Sequence, residues 1–489
     1  MISDDSDALL ARNGQPFRED IQISRDQLPN SAVSNEPKKL PQYISAISAT
    51  LSAFAAGAVL GWTCPIMEDL KQGHFRGISV NSDEMGWIGS FATLGALTMC
   101  IPTGFICDLI GRKRTLLLLV APFVGGWLLI VFAKNILMIY FGRLFTGMAV
   151  GATCVAAPLY TGEIAHKKLR GTLGSYFQLM VTLGILYAYV LGKYLSVYRF
   201  TIVCSALPVF FLISFVFQPE SPVFLLKRGC FEDAKVSLTK LRGASYNVDE
   251  ELLEIEECLK EVTHTTVSIK QILRKRSTIK AMIILFSLML FQQFSGINTI
   301  VLYTSNIFQK SGVQLDANVA AIIVGAFQAF ATFVASLSIE KLGRRFLLIL
   351  SASILALSTC TLALFFTLRD RSHIDLVTLL HYIGFLPVAS VCMFVTVFSL
   401  GLGPIPWMIS SEILAPEIKS VISSVAATFN WFLAFIVTKF FLQVNEAVGE
   451  DVTFYFFAFM SLVGTVFIYL VVPETKGKSL RDIQFMLEN

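Results

Sequence analysis

Long apolar stretches separated by short polar segments make up most of this chain. A helix needs about 20 apolar residues to cross the hydrocarbon core of a bilayer. Stretches of about that length precede a charged central segment, near residues 43–66, 85–107, 115–133, 137–161, 173–195 and 200–217. Others follow it, near residues 279–307, 317–339, 346–367, 376–409, 420–443 and 452–472. The pattern predicts twelve transmembrane helices in two groups of six.

The composition agrees with a protein that is embedded in a bilayer. Hydrophobic residues make up 54% of the 489 residues and charged residues 15%, whereas about a quarter of the residues in a soluble domain are charged. Small residues such as Gly142, Gly147 and Gly151 recur within the spans, and they let helices pack closely in lipid. We therefore expect an all-α membrane protein with tightly packed helices.

The polar segments divide the chain into five predicted parts. The central segment alternates acidic and apolar residues, which favours short amphipathic helices on a membrane surface. The first residues are polar and rich in Ser, Asp and Asn, which favours a disordered tail. The predicted parts are a disordered tail (1–42), a six-helix bundle (43–217), a linker (218–278), a second six-helix bundle (279–472) and a short tail (473–489).

Basic residues in short loops predict the orientation in the membrane. They collect after the second, fourth and eighth spans, at residues 112–114, 167–170 and 341–345. Short cytoplasmic loops carry an excess of Lys and Arg. We therefore expect these loops, the linker and both termini to lie in the cytoplasm.

Other features bear on location and partners. Asp5 with Leu9 and Leu10 has the arrangement of an acidic dileucine sorting signal, so an endosomal or lysosomal membrane is an alternative to the plasma membrane. The formal charge of +4 is small and dispersed, so no nucleic-acid partner is expected. We expect the bilayer as surroundings and a monomeric transport unit.

Charged motifs recur at matching places in the two halves. An acid followed by a glycine and a basic cluster comes after the second and eighth spans. An acid with a basic residue seven positions later follows the fourth and tenth, and a Pro-Glu pair follows the sixth and twelfth. These motifs supply the candidate gating residues Asp108, Arg112, Glu163, Arg170, Glu220, Glu340, Arg344, Glu412, Lys419 and Glu474. Matching motifs in register predict a duplicated six-helix unit.

Two roles are open for these charged residues. An isolated charge at the end of a span is costly, so the acids are expected to pair with the nearby Arg and Lys side chains. Pairs that join the two halves only when the cytoplasmic side is closed would favour an outward-open state. The alternative is that they only fix the topology and anchor the helix ends.

Polar side chains also interrupt the spans themselves. Gln292, Gln293 and Asn298 lie within two turns around a Ser-Gly pair that would loosen the seventh span. Asn430 and Trp431 stand in the otherwise apolar eleventh span. An amide both donates and accepts hydrogen bonds without the desolvation cost of a charge, which suits a neutral hydroxylated ligand. The alternative is that these amides hold helices together, at about 1 kcal/mol each.

A helix break is predicted in the tenth span. Gly403, Pro404 and Pro406 come together beside Trp407, and proline removes a backbone donor from a helix. A break of this kind would allow the tenth helix to bend as part of a gate.

The motifs are similar to those of the sugar porters of the major facilitator superfamily, which include facilitative glucose transporters and insect trehalose transporters. The resemblance runs from about Ser45 to Gln484. It rests on Pro219-Glu220-Ser221-Pro222, Gln292-Gln293-Phe294-Ser295-Gly296-Ile297-Asn298, Gly403-Pro404-Ile405-Pro406-Trp407 and Pro473-Glu474-Thr475-Lys476-Gly477. It implies the major facilitator fold and transport of a sugar, a hexose or trehalose, by alternating access.

The resemblance also implies a sugar site at mid-membrane between the halves. The positions that match the family's sugar contacts are Gln178, Gln292, Gln293, Asn298, Gln328, Trp407, Asn430 and Trp431. A tryptophan face would cover the C–H side of a sugar ring. Gln328 stands where glucose carriers usually have Asn, and the longer amide would reshape the pocket.

The lack of acidic residues in the first span bears on how transport is driven. The stretch from Ser45 to Pro65 holds no Asp or Glu, and Thr63 stands where proton-coupled sugar carriers have an Asp. A proton symporter needs a titratable group in its path, so we expect a uniporter; the alternative is a proton-coupled symporter of a sugar or another polyol. The sequence has no Walker-type phosphate loop, no metal-ligand spacing and no catalytic set, so neither an enzyme nor a cofactor is expected.

Overall fold

The computed structural model describes residues 37–264, 273–311, 316–371, 383–414, 416–478 and 480–488. The predicted sorting motif at Asp5, Leu9 and Leu10 lies outside these ranges. The helices of the first half are α1 (Leu40–Gly61), α2 (Thr63–Lys71), α3 (Ser82–Ile110), α4 (Arg112–Leu118), α5 (Val120–Val131), α6 (Ile136–Ile164), α7 (Arg170–Tyr194) and α8 (Val197–Phe215).

The described helices after α8 form the linker, the second half and a C-terminal segment. The linker contains α9 (Pro222–Lys227), α10 (Phe231–Arg242) and α11 (Val248–His264). The remaining helices are α12 (Arg276–Phe294), α13 (Ile297–Ser311), α14 (Ala317–Leu342), α15 (Arg344–Arg371), α16 (Leu386–Leu400), α17 (Ile405–Ile413), α18 (Pro416–Val448), α19 (Glu450–Val471) and α20 (Leu480–Glu488).

Within the described part of the chain, 12 helical stretches are long and apolar enough to cross a membrane, which confirms the predicted number. The first, third, seventh and tenth spans each consist of two helices, α1–α2, α4–α5, α12–α13 and α16–α17. The first span runs over Leu40–Lys71 and is longer than predicted from its apolar stretch. The difference arises because α2 continues as a helix past the last apolar residues into a charged turn.

Small residues bring the helices of the first half into direct backbone contact. A Cβ atom on Gly147 of α6 would lie 2.1 Å from the carbonyl oxygen of Ala92 in α3, and one on Gly151 would lie 2.2 Å from that of Ala96. No side chain fits between these backbones. This is the close packing that small residues allow in lipid.

The linker helices dock on one end of the first half, which we call the linker end. They share a small core of Ala234, Leu238, Val248 and Leu252. The guanidinium of Arg242 in α10 pairs with Glu251 of α11 at 2.7 Å. It also donates to the carbonyl of Ile164 at the end of α6, at 2.8 Å. The linker is therefore fixed to the first half by a buried arginine.

Ion pairs join the two halves at the other end of the bundle, which we call the opposite end. Lys439 of α18 pairs with Asp83 in the first turn of α3, and its ammonium lies 4.4 Å from the centre of the Trp87 ring. Lys193 of α7 pairs with Asp316, the residue before α14, at 2.6 Å. Each pair links a helix of one half to a helix of the other.

Two further contacts between the halves lie close to these ion pairs. The hydroxyl of Tyr189 in α7 donates to the carbonyl of Val301 in α13, at 2.5 Å. The thiol of Cys64 in α2 lies 3.1 Å from the hydroxyl of Ser305 in α13. Tyr189 and Cys64 are buried. The opposite end is therefore closed in this structure.

Candidate functional site

Four amide side chains form a continuous hydrogen-bonded chain inside the second half. The amide nitrogen of Asn298 donates to the oxygen of Gln293 at 2.6 Å. Gln293 donates to the oxygen of Asn430 at 2.8 Å, and Asn430 donates to the oxygen of Gln292 at 2.8 Å. Asn298 is half-buried and the other three are buried. We call this arrangement the amide chain.

Gln292 ends the amide chain at the break in the tenth span. Its amide nitrogen donates to the carbonyl of Leu402 at 2.7 Å and to that of Gly403 at 3.0 Å. Both carbonyls lie between the end of α16 and the start of α17. The donors of Gln292 are therefore directed at the backbone of another helix.

Both breaks that the sequence predicts are present. In the seventh span, α12 ends at Phe294 and α13 begins at Ile297, with the Ser-Gly pair between them. In the tenth span, α16 ends at Leu400 and α17 begins at Ile405. The breaks place polar backbone and amide side chains in the middle of apolar spans. Irregular backbone is tolerated at this depth when it is satisfied inside the protein.

The other predicted sugar contacts lie on four different helices. Trp407 is half-buried in α17 beside the break, and Trp431 is buried next to Asn430 in α18. Gln328 is buried in α14, whereas Gln178 is half-buried in α7 of the first half. Within the described residues, neither of these glutamines is hydrogen-bonded to the amide chain. The structure thus joins four of the eight predicted contacts and leaves the others separate.

At the linker end, a carboxylate caps the start of α4. Glu220 accepts hydrogen bonds from the backbone N–H groups of Arg112 and Lys113, at 3.0 and 2.9 Å. Gly111 precedes them with φ +101°, and a Cβ atom there would lie 2.4 Å from the Glu220 carboxylate. A glycine is therefore required at this position. The negative charge also complements the positive end of the helix dipole.

The Arg112 side chain pairs with two carboxylates at the same place. It lies 2.9 Å from Glu163 of α6 and 3.0 Å from Asp108 of α3. The hydroxyl of Ser221 donates to Glu163. These contacts bind the ends of α3, α4 and α6 to the start of the linker.

The second half repeats this arrangement with the residues that the sequence pairs. Glu474 accepts from the backbone N–H groups of Arg344 and Arg345, both at 3.0 Å. Arg344 pairs with Glu412 at 3.1 Å, and Thr475 donates to Glu412 at 2.5 Å. The duplicated motifs therefore fold into duplicated clusters. In this structure, each of the pairs Arg112–Glu163 and Arg344–Glu412 lies within one half.

The remaining candidate gating residues are placed differently. The side chain of Glu340 lies outside the described part of the structure, although its backbone belongs to α14. Burial lowers the pKa of Lys419 in α18, and the charge of Arg170 lowers it further, whereas Glu412 raises it. Arg170 and Lys419 thus bring like charges from different halves near each other at the linker end. Pairing across the halves in another state stays a prediction.

Replacement of the capping carboxylate Glu474 by Gln is expected to lower the thermal stability by several degrees at neutral pH. Burial raises the pKa of this carboxyl, but backbone hydrogen bonds, foremost from Lys476 and Arg344, outweigh it, so the pKa lies below its ordinary value of 4.5. A carboxylate with a lowered pKa stabilises the fold above that ordinary value and loses the effect as the pH falls through the lowered one. Hydrogen bonds to a charged group contribute about 1.5–3 kcal/mol.

The measurement is the difference in melting temperature between the wild type and Glu474→Gln across the pH range. The difference should be constant from pH 7 down to about 5 and should close at lower pH. A difference that is the same at pH 7 and at pH 3 would contradict a role for the ionised carboxylate.

Arg143 is absent from the predicted site, yet it is completely buried in α6. It donates to the carbonyl of Val59 in α1 at 2.7 Å and to that of Ile88 in α3 at 3.1 Å. Its guanidinium lies 5.4 Å from the centre of the Trp62 ring. The sequence signal is a charged residue inside an apolar span, which marks a structural or functional position. Arg143 joins the helices around the junction of α1 and α2.

Comparison with known proteins identifies a matching family and similar sequences. Residues 32–487 match the family described as sugar (and other) transporter. The chain is 37% identical over 448 residues to a facilitated trehalose transporter of Culex quinquefasciatus, covering 91% of this chain and 85% of that protein. A facilitated trehalose transporter of Aedes aegypti is 36% identical over 91% of this chain and 54% of its own length, so the chain spans about half of that relative.

The fold is similar to that of a solved transporter. The partially occluded inward open conformation of the xylose transporter XylE from E. coli superposes with a TM-score of 0.75. The two chains are 22% identical, and the match covers 90% of this chain and 99% of the other.

Proposed function

Because the chain belongs to the sugar (and other) transporter family, we propose that it is a uniporter of trehalose or a hexose. The observation that carries this proposal is the amide chain of Asn298, Gln293, Asn430 and Gln292. Uncharged groups that both donate and accept suit a neutral ligand whose hydroxyls do the same. The relatives named as facilitated trehalose transporters support the choice of sugar.

We propose that Gln293, Asn298 and Asn430 bind sugar hydroxyls from the second half, and that Gln178 does so from the first. Trp407 and Trp431 would cover the apolar face of the ring. Gln328 would limit the size of the pocket. The candidate residues thus come from helices of both halves, so a bound sugar would connect the two.

The first span supports transport without proton coupling. Thr63 is buried at the start of α2, where a proton carrier would need a titratable group. The alternative, proton-coupled symport of a sugar or another polyol, is tested below.

The charges at the two ends of the bundle support alternating access. At the opposite end, Asp83–Lys439 and Lys193–Asp316 hold the halves together. At the linker end, Arg170 and Lys419 bring like charges near each other from different halves. This state is therefore held shut at the opposite end by charge pairs between the halves. We propose that the linker end faces the cytoplasm and that the carrier works in the plasma membrane.

Uptake into proteoliposomes tests the proposed function. Labelled trehalose and labelled glucose are supplied with and without an inward proton gradient. Saturable uptake of either sugar that does not depend on the gradient is the expected result. Accumulation driven by the gradient would show a symporter instead, and no uptake of either sugar would refute the proposal.

A further inference from the structure

The amide chain has a single direction, which is set at its Gln292 end. Carbonyl oxygens only accept hydrogen bonds, so the nitrogen of Gln292 must face Leu402 and Gly403. Its oxygen then faces Asn430, which must present its nitrogen, and the same reasoning orients Gln293. Every donor therefore points from α13 toward the break in the tenth span. A chain of aligned hydrogen bonds is cooperative, because each bond polarises the next.

The carbonyl of Leu402 needs a side-chain donor because of Pro406. Backbone bonds of the helical type are present on both sides of it, from Ile405 to Gly401 at 3.1 Å and from Met408 to Pro404 at 3.2 Å. The corresponding donor for Leu402 would be the N–H of residue 406, and proline has none. Gln292 supplies the missing hydrogen bond.

We propose that Gln292 is a positioning residue that holds the break of the tenth span and connects it, through Asn430, to the amides that bind the sugar. This proposal rests on the proposed function for its sugar-dependent part. A sugar hydroxyl that donates to Asn298, at the head of the amide chain, strengthens each following bond. Sugar binding therefore strengthens the hydrogen bonds from Gln292 to the carbonyls of Leu402 and Gly403. Gln292 thus links the helix that bends to the amides that contact the ligand.

Hydrogen exchange of the backbone amides in residues 400–410 tests the proposal without sugar. Gln292→Met keeps the size of the side chain and removes its donors. We expect exchange in this segment to rise by about tenfold, the effect of losing one or two hydrogen bonds from a local opening equilibrium. Gln328→Met is the matched control, because Gln328 is equally buried in the second half at 4% exposure and lies outside the amide chain. It should leave the segment unchanged.

Pro406→Ala provides a rescue that a general loss of packing would not show. Alanine returns an N–H at the position that faces the Leu402 carbonyl. In the Gln292→Met background it is expected to restore slow exchange in residues 400–410. No rise in Gln292→Met, an equal rise in Gln328→Met, or no rescue by Pro406→Ala would overturn the proposal. If Gln292→Met alone does not fold, the double variant decides: a folded carrier is expected, and a second failure overturns the proposal.

Trehalose, or glucose if that is the sugar carried, tests the link to the ligand. In the wild type, the sugar should slow exchange in residues 400–410. In Gln292→Met, this protection should be lost even at sugar concentrations that saturate the carrier, as measured by tryptophan fluorescence. Equal protection of the sugar-saturated variant, or no sugar binding at any concentration, would overturn the coupling. If the wild type binds neither sugar, the proposed function is refuted. The role of Gln292 at the break of the tenth span is then still tested by hydrogen exchange without sugar.

Discussion

Gln293→Leu is expected to reduce sugar uptake by about tenfold to a hundredfold while the protein remains folded. Gln293 occupies the middle of the amide chain, where it accepts from Asn298 and donates to Asn430. Leucine removes both bonds, and a buried polar group left without a partner costs about 1–3 kcal/mol. The measurement is the initial rate of uptake of labelled sugar into proteoliposomes, normalised to the amount of folded carrier.

Gln218→Leu is the control for this prediction. Gln218 is an amide near the end of α8 that accepts a hydrogen bond from Ser45 at 2.7 Å, outside the amide chain. It should keep most of the uptake. A well-folded Gln293→Leu carrier with the uptake of the wild type would refute the role of Gln293 in binding the sugar.

Lys439→Glu is expected to open the opposite end of the bundle. Lys439 is buried against Trp87 and pairs with Asp83 across the halves. A glutamate there would face Asp83 with a like charge, and such contacts cost several kcal/mol. Cys64, which is buried against Ser305 at the same interface, should then become accessible. We expect its rate of alkylation by a membrane-impermeant maleimide to rise at least about tenfold, a shift of ~1.4 kcal/mol.

Site-resolved mass spectrometry measures the labelling of Cys64 separately from the other cysteines. Lys310→Glu is the matched control, because Lys310 pairs at 2.8 Å with Glu450, a residue of its own half. It should not expose Cys64. The double variant Asp83→Lys with Lys439→Glu restores opposite charges and should restore protection. Equal labelling of Lys439→Glu and the wild type would rule out this pair as a closure of the opposite end.

Local chemistry made much of the fold predictable from the sequence. A span is visible as an apolar run because lipid requires one along the whole helix. The break beside Trp407 is visible because Pro404 and Pro406 lack a backbone donor. The charged motifs could be matched between the halves because each copy keeps an acid, a glycine and an arginine at fixed spacing. These features depend on neighbours along the chain.

The contacts between distant segments could not be predicted in this way. Gln292 and Gln293 are adjacent and chemically identical, so the sequence gives both the same role. In the structure their contacts differ, because the donors of Gln292 meet the carbonyls of Leu402 and Gly403. Nothing in the sequence near Asp83 or Asp316 indicates their partners, Lys439 and Lys193, which lie far away along the chain. Such pairs depend on how the two halves meet, which no local pattern encodes.

The ion pairs of the opposite end are also sensitive to the salt concentration of the solution around the carrier. The side chains of Asp83 and Asp316 are about half exposed, at 53% and 49%, so dissolved ions reach them. At an ionic strength of 0.15 M, charges are screened beyond about 8 Å, and this distance grows as the solution becomes more dilute. A dilute medium on that side thus strengthens both pairs, and a concentrated one weakens them. The closure of the opposite end is therefore expected to weaken as the salinity on that side rises.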